Sequence, residues 1–276
     1  MTKSPIDRPD PIRTFRELHA SGCFVIPNPW DLGSARLLVQ LGFKALATTS
    51  AGFAWSLGRA DNHAGLEAVL DHLRALAAGV SVPINADFEG GFAVEPIHVG
   101  ANVARAVRTG IAGLSIEDST GDAGEPLYPL TRAVERIVAA REAIDKSGTG
   151  VFLTGRSEGF IVGRPDLDET IGRLTAYAKA GADCLYAPGI RTPEEIRAVV
   201  AAVAPKPVNV LANAEYASVA SLAALGVRRI SVGGALARAA WTGFLEAARE
   251  IAKQGTFTRL GKTVGGAEIN HSFPED

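Results

Sequence analysis

Short apolar runs alternate along this chain with longer stretches in which Ala, Leu and Val recur every three or four positions. The first kind has the length and composition of a strand buried on both faces, the second the period of an amphipathic helix. Residues 12–20 (IRTFRELHA) suit a lead-in helix, and the alternation then begins. Cys23 to Asn28 reads as a strand; Asp31 is an N-cap for a helix over 32–40, and Gly42 closes it. Strand 45–50 leads through a long loop past Asp61 to a helix over 66–77. Strand 83–88 leads to a helix over 98–108 ended by Gly110, and strand 112–117 to one over 131–145. The second half repeats the pattern. Strand 150–155 precedes helix 167–180, and strand 182–187 precedes helix 193–203, with Thr192 as cap and Pro193 at its first position. Strand 207–211 precedes helix 216–225, and strand 228–232 precedes helix 235–252.

Eight strand–helix units imply parallel strands and predict a (β/α)8 TIM-type barrel, with a C-terminal helical or irregular extension. No linker-like composition divides the chain, so residues 1–276 read as one barrel domain, with 1–20 leading in and 254–276 as a tail. The tail is polar and Gly-rich, and reads either as disordered or as an arm packing on a partner subunit.

In such a barrel, chemistry gathers at the C-terminal ends of the strands. Those ends carry Thr49 and Ser50, Asp87 and Glu89, Glu117 and Asp118, Arg156 and Glu158, and Asn213 just past the seventh; Asp61 lies in the second loop. Strand alternation places positions 87 and 89 on one face. An isolated D-x-E followed by Gly90-Gly91 is more often a solvated strand end. Repetition on neighbouring strands favours chemistry instead. Carboxylates a few ångströms apart repel unless a cation or a proton lies between them, and oxygen donors suit Mg²⁺ or Mn²⁺. The single Arg156 supplies a fork for a substrate carboxylate, and Ser50 and Ala51 offer hydroxyl and backbone N–H groups to an anion. Gly233-Gly234 after the eighth strand resembles a barrel phosphate turn but reads as a tight turn, with no added anion ligand beside it.

Composition narrows this further. A net charge of −2 without a basic run gives no footprint for nucleic acid or an anionic membrane, and no apolar run approaches bilayer-spanning length. The N-terminal stretch has no signal-peptide apolar region, so the chain reads as cytoplasmic. Cys23 and Cys184 show no metal or redox spacing and read as small buried hydrophobes. None of the five histidines pairs with Ser or Cys in a nucleophile motif, which argues against a triad hydrolase; Walker-type and dinucleotide-binding loops are absent.

Several stretches, in order, resemble the isocitrate lyase/phosphoenolpyruvate mutase superfamily. They are Pro27-Asn28-Pro29-Trp30-Asp31, Ala47-Thr48-Thr49-Ser50-Ala51-Gly52, Ser56-Leu57-Gly58 with Asp61, and Ala86-Asp87-Phe88-Glu89-Gly90-Gly91-Phe92. Ile116-Glu117-Asp118, Gly155-Arg156-Ser157-Glu158 and Leu211-Ala212-Asn213 follow. The resemblance spans Phe24 to about Ala252. It implies a Mg²⁺-dependent enzyme that forms an enolate of a small 2-oxo carboxylic acid. It further implies that Asp87 is the direct metal ligand, while Asp61, Glu89 and Glu117 act through waters. Arg156 with Thr49, Ser50 and Ala51 would bind the 2-oxo carboxylate, and Asn213 the remainder of the substrate. Catalysis would fall to Arg156, Glu117 and Asn213. The family also implies a homo-oligomer, dimer or tetramer, with a C-terminal helix exchanged between subunits.

The departures bear on the reaction. Glu89 stands where the family's metal stretch carries a second Asp, and Ala93 where it ends in Gly. The loop Asp118 to Glu125 lacks the lyases' acid Cys, and Pro188 stands near the mutases' His. The leading expectation is a C–C lyase or decarboxylase. The alternatives are mutase or phosphonopyruvate hydrolase chemistry, and a 2-oxo acid binding protein with degraded catalysis.

Overall fold

In the computed structural model, which describes residues 10–212, 216 and 218–273, each of the eight anticipated strands is present and parallel to its neighbours. They are β1 Phe24–Ile26, β2 Leu46–Ala47, β3 Ile84–Asp87, β4 Gly113–Glu117, β5 Phe152–Arg156, β6 Cys184–Tyr186, β7 Val208–Leu211 and β8 Arg229–Ser231. The helices are α1 Pro11–Ala20, α2 Leu32–Gln40, α3 Ser50–Ser56, α4 Leu66–Gly79, α5 Pro96–Val107 and α6 Leu130–Ser147. They continue with α7 Leu167–Lys179, α8 Pro193–Val203, α9 Val219–Ala224, α10 Ala235–Gln254 and α11 Gly266–His271. Strand order β1-β8-β7-β6-β5-β4-β3-β2 brings the first two strands together, and the Ala47 N–H donates to the Pro27 carbonyl at 3.0 Å across that seam. The sheet is the (β/α)8 barrel that the alternation predicts.

The anticipated caps form. Asp31 and Ser34 exchange side-chain and backbone bonds (2.7 and 3.2 Å) at the start of α2, and Thr192 with Glu195 does the same for α8. Gly181 and Gly226 follow their helices with φ of +102° and +88°, a conformation that a side chain would strain. One segment differs from the sequence reading. The loop after β2 begins with helix α3, because Thr49 caps it by accepting from the Gly52 N–H at 3.2 Å.

The main core lies between strands and helices, with Leu73, Leu76, Ile84, Leu114, Ile137, Leu185 and Val210 almost wholly buried. A second, smaller core closes the N-terminal end of the barrel. There Phe15 of α1 is fully buried and meets Phe152 edge-on at 5.5 Å, and His19 stacks on Phe152 at 4.1 Å. Burying one such ring stabilises by about 2–3 kcal/mol. Cys184 belongs to this core and Cys23 is half-buried, as expected of small hydrophobes.

Beyond α10 the chain is not aperiodic throughout. Glu250 accepts from Thr256 Oγ1 (2.6 Å) and the Thr258 and Arg259 N–H groups (2.9 Å each), which fixes a 3-10 turn over Thr258–Lys262 ahead of α11. Among the described residues no helix is long and apolar enough to cross a membrane.

Candidate active site

The strand ends converge on Arg156, the last residue of β5. Its Nη1 lies 3.1 Å from Asp87 Oδ1 and 3.1 Å from Glu117 Oε2, and its Nε donates to Glu158 Oε1 at 2.5 Å. The guanidinium also sits over the Tyr186 ring, 5.2 Å from its centroid. Three carboxylates therefore face one cation. Their surroundings hold them in place. Asp87 Oδ2 accepts the Ser50 N–H at 2.9 Å, and the Asp87 N–H donates to Thr48 Oγ1 at 2.8 Å. Ser119 donates to Glu117 Oε1 at 3.1 Å.

Behind Glu158 stands a residue whose part the sequence reading left undefined. Asp118, only 2% exposed, accepts from the Glu158 N–H (2.8 Å), Arg173 Nη1 (3.2 Å) and Tyr177 OH (2.6 Å). It ties the β5 loop to α7 and so sets the place of Glu158, which in turn aims Arg156. Arg136 of α6 was also missed, since in sequence it reads as one more helical basic residue. It is 1% exposed and donates to the carbonyls of Gly90, Ala93 and Val94, which holds the turn after β3.

That turn corrects one expectation. Strand β3 ends at Asp87, and Glu89 has φ +47°, so the two acids do not follow strand alternation. Glu89 is left half-buried, with an Oε1 that finds no hydrogen-bond partner among the described residues. Burial, reinforced by the Asp87 and Asp61 charges, pushes its carboxyl up to about 8. Glu117 is likewise pushed up to about 8, because burial and repulsion from Glu158 and Asp87 together outweigh Arg156.

Asp61 is exposed, on the loop after α3, and faces the same cavity as Asp87 and Arg156. That cavity has a volume of about 300 Å³, and Thr49, Ser50 and Ala51 line it as anticipated. Asn213 lies outside the described residues. Among the described residues no three carboxylate, imidazole or thiol groups are gathered closely enough to hold a metal ion as they stand. Arg156 takes up the middle of the carboxylate cluster. The cavity also holds Arg238 beside Gly233 and Gly234, so an anion ligand does accompany that turn. Nothing in local sequence singled it out, because it sits one helical turn into α10.

Asn28 connects three elements at the rim. It donates to the Thr48 carbonyl at 2.9 Å and accepts the Val232 and Gly233 N–H groups at 2.9 Å each.

Known proteins place this architecture. The sequence profile of the phosphoenolpyruvate phosphomutase family matches residues 15–252. An uncharacterized protein of Mycobacterium tuberculosis (strain ATCC 25618 / H37Rv) is 33% identical over 80% of this chain and 81% of its own. The oxaloacetate decarboxylase of Pseudomonas putida (strain GB-1) is 28% identical over 95% of this chain and 91% of its own. Among solved structures, a Burkholderia cenocepacia J2315 protein provisionally described as a lyase/mutase superposes with a TM-score of 0.91. It shares 50% identity and covers 95% of each chain. A 2,3-dimethylmalate lyase superposes with a TM-score of 0.85 at 26% identity, covering 96% of this chain and 95% of the other. With the barrel, the Arg156-centred rim and these matches in agreement, the chain belongs to the phosphoenolpyruvate phosphomutase family, within the PEP mutase/isocitrate lyase superfamily.

Proposed function

We propose that this protein is a divalent-metal-dependent C–C lyase or decarboxylase that cleaves a bond beside the oxo group of a small 2-oxo carboxylic acid. The observation that carries the reading is the imbalance at the rim. Asp87, Glu117 and Glu158 share one guanidinium, Glu89 keeps a buried oxygen with no partner among the described residues, and burial raises the carboxyls of Glu89 and Glu117 above their usual range. An all-oxygen set with more negative charge than Arg156 neutralises fits Mg²⁺ or Mn²⁺. Asp87, Asp61, Glu89 and Glu117 would hold the ion, with Asp87 as the principal ligand. When bound, a divalent cation polarises the 2-oxo oxygen and stabilises the charge that develops on it.

The remaining work belongs to this chain's own side chains. Arg156 uses Nη1 and Nε on carboxylates, which leaves Nη2 to take a substrate carboxylate. Thr49, Ser50 and Ala51 bound the same cavity and orient that group. Arg238, across the cavity, suits a second anionic group, as the oxaloacetate of one relative would present. Asn213 is assigned the remainder of the substrate by family resemblance. We assign the chain to a homo-oligomer, dimer or tetramer, because α10 exposes Trp241, Phe244 and Ile251.

The test is turnover of oxaloacetate and substituted malates by the purified protein with Mg²⁺, read by product analysis, with phosphonopyruvate followed in parallel by phosphorus NMR. Formation of a 2-oxo acid or oxalate product from C–C cleavage supports the reading. Turnover of the phosphonate alone would move the protein to the phosphoryl branch. Tight oxalate binding without turnover of any of these would identify a binding protein.

A further inference from the structure

A 2-oxo acid that breaks the bond at the carbon beside its oxo group leaves an enolate, and that carbon must then take a proton. The inference below rests on the C–C cleavage proposed above. The family's loop Cys is missing here, and among the described residues lining the cavity there is no His or Cys. The other candidates along its wall fail on chemical grounds. Arg156, Arg229 and Arg238 do not deprotonate, Asp61 and Asp87 belong to the cation set, and Ser and Thr hydroxyls are too weakly acidic. Glu117 borders a neighbouring pocket, held between Arg156 and Ser119.

Among the described residues that line this cavity and lie outside the cation set, one side chain with a transferable proton is left. We propose that the Tyr186 phenol is the general acid that protonates the enolate carbon. Tyr186 ends β6, is 8% exposed and lines the cavity with Ser50, Asp87 and Arg156. Its backbone is in register with Arg156 on one side and Asn209 on the other, so its side chain points inward between theirs. A chain of polar groups fixes the phenol from below. Ser231 lines the same cavity beside it, and Ser231 Oγ accepts from Asn209 Nδ2 at 3.0 Å. Asn209 Oδ1 accepts from Arg229 Nε at 2.8 Å, and Arg229 Nη2 donates to Thr154 Oγ1 at 3.1 Å. Among the described residues no carboxylate pairs with Tyr186, so none of them takes its proton.

The electron count closes. The C–C bond breaks and leaves its pair on the carbon conjugated with the oxo group. That pair forms the new C–H bond as the Tyr186 O–H bond breaks, and the phenolate is held under the Arg156 cation and beside the Ser231 hydroxyl. Water entering the cavity after product release returns the proton and leaves hydroxide to the solvent.

The experiment uses the Mg²⁺-loaded protein in D2O with whichever 2-oxo acid it cleaves, and follows two quantities. One is the rate of C–C cleavage; the other is enzyme-dependent deuterium exchange at the product carbon beside the oxo group, read by proton NMR. General acid–base groups contribute about 10²–10⁴-fold. Tyr186→Phe should lower exchange by about a hundredfold or more while cleavage falls by less than about tenfold, with oxalate binding unchanged. Ser231→Ala keeps the ring under Arg156, and should lower exchange by about tenfold. Exchange at the wild-type rate in Tyr186→Phe overturns the proposal, as does loss of cleavage and exchange in equal measure. A wild type that cleaves no 2-oxo acid would instead overturn the reading on which it rests.

Discussion

The barrel buries an arginine near each end, and the two are treated in opposite ways. At the C-terminal rim Arg156 meets three carboxylates. Toward the floor Arg229, 3% exposed, meets none among the described residues; its bonds run to Asn209, Thr154 and the neutral ring of His19 at 3.4 Å. Both pay desolvation for a group that stays charged. Neutral acceptors at the floor give fixed geometry and little else, and beneath them Phe15, His19 and Phe152 seal the end. The rim gathers more carboxylates than its one arginine can pair, and burial pushes the carboxyls of Glu89 and Glu117 above their usual range. An end built for stability would not leave that imbalance, so the rim is where a ligand completes the structure.

The sharpest way to break the comparison is Asp87→Ala. It should abolish Mn²⁺ binding in calorimetry, and activity with it, while the fold persists; unchanged metal affinity would mean that the rim charge serves another end. Asp118→Asn is next. It places an amide against three donors, and should cost about 3 kcal/mol in denaturant melts, near the lower limit for breaking a buried ion pair. Catalysis should fall further than the melt alone predicts, because Glu158 and Arg156 lose their support. Arg156→Lys keeps the charge but loses the fork. It should weaken 2-oxo acid binding by more than about tenfold, or 1.4 kcal/mol, with metal affinity near wild type. Equal ligand affinity would reduce Arg156 to a structural ion pair.

At neutral pH the smallest effect belongs to the floor. Burial and the Arg229 charge hold the His19 ring down at about 3. The unfolded chain binds a proton there below about pH 6.5 and the folded one does not, so stability is full above that pH. It should fall toward pH 3 by up to about 1.4 kcal/mol per pH unit. His19→Gln, which keeps an acceptor for Arg229 but does not titrate, should flatten that slope in melts across pH 6.5 to 3.

The barrel was legible because helix period, Gly stops and caps such as Asp31 and Thr192 are local signals. The rim was legible as a list of strand ends, which is why Asp87, Glu117 and Arg156 were found together. What local sequence does not carry is the direction of a side chain from another element. Arg136 and Arg173 reach the site from helices, and Arg238 enters the cavity from α10; each looks like an ordinary surface charge in sequence. The crowding of three carboxylates on Arg156 was equally hidden, since it depends on three strands meeting. The left-handed turn at Glu89 is held by Arg136 from α6, at the Gly90 carbonyl, as well as by the Gly91 N–H bond to the Phe88 carbonyl.

The seam between β1 and β2 bears on how the protein breathes. Strand β2 is two residues long, and toward β1 it offers the single Ala47–Pro27 bond, with Asn28 acting as a clasp. Local opening is cheapest where the fewest bonds must part. Hydrogen exchange should therefore begin at the Ala47 amide, well before strands β4 and β5 yield theirs. Thr48, next along, holds the Asp87 amide, so each opening of the clasp slackens the grip on the principal acid of the rim.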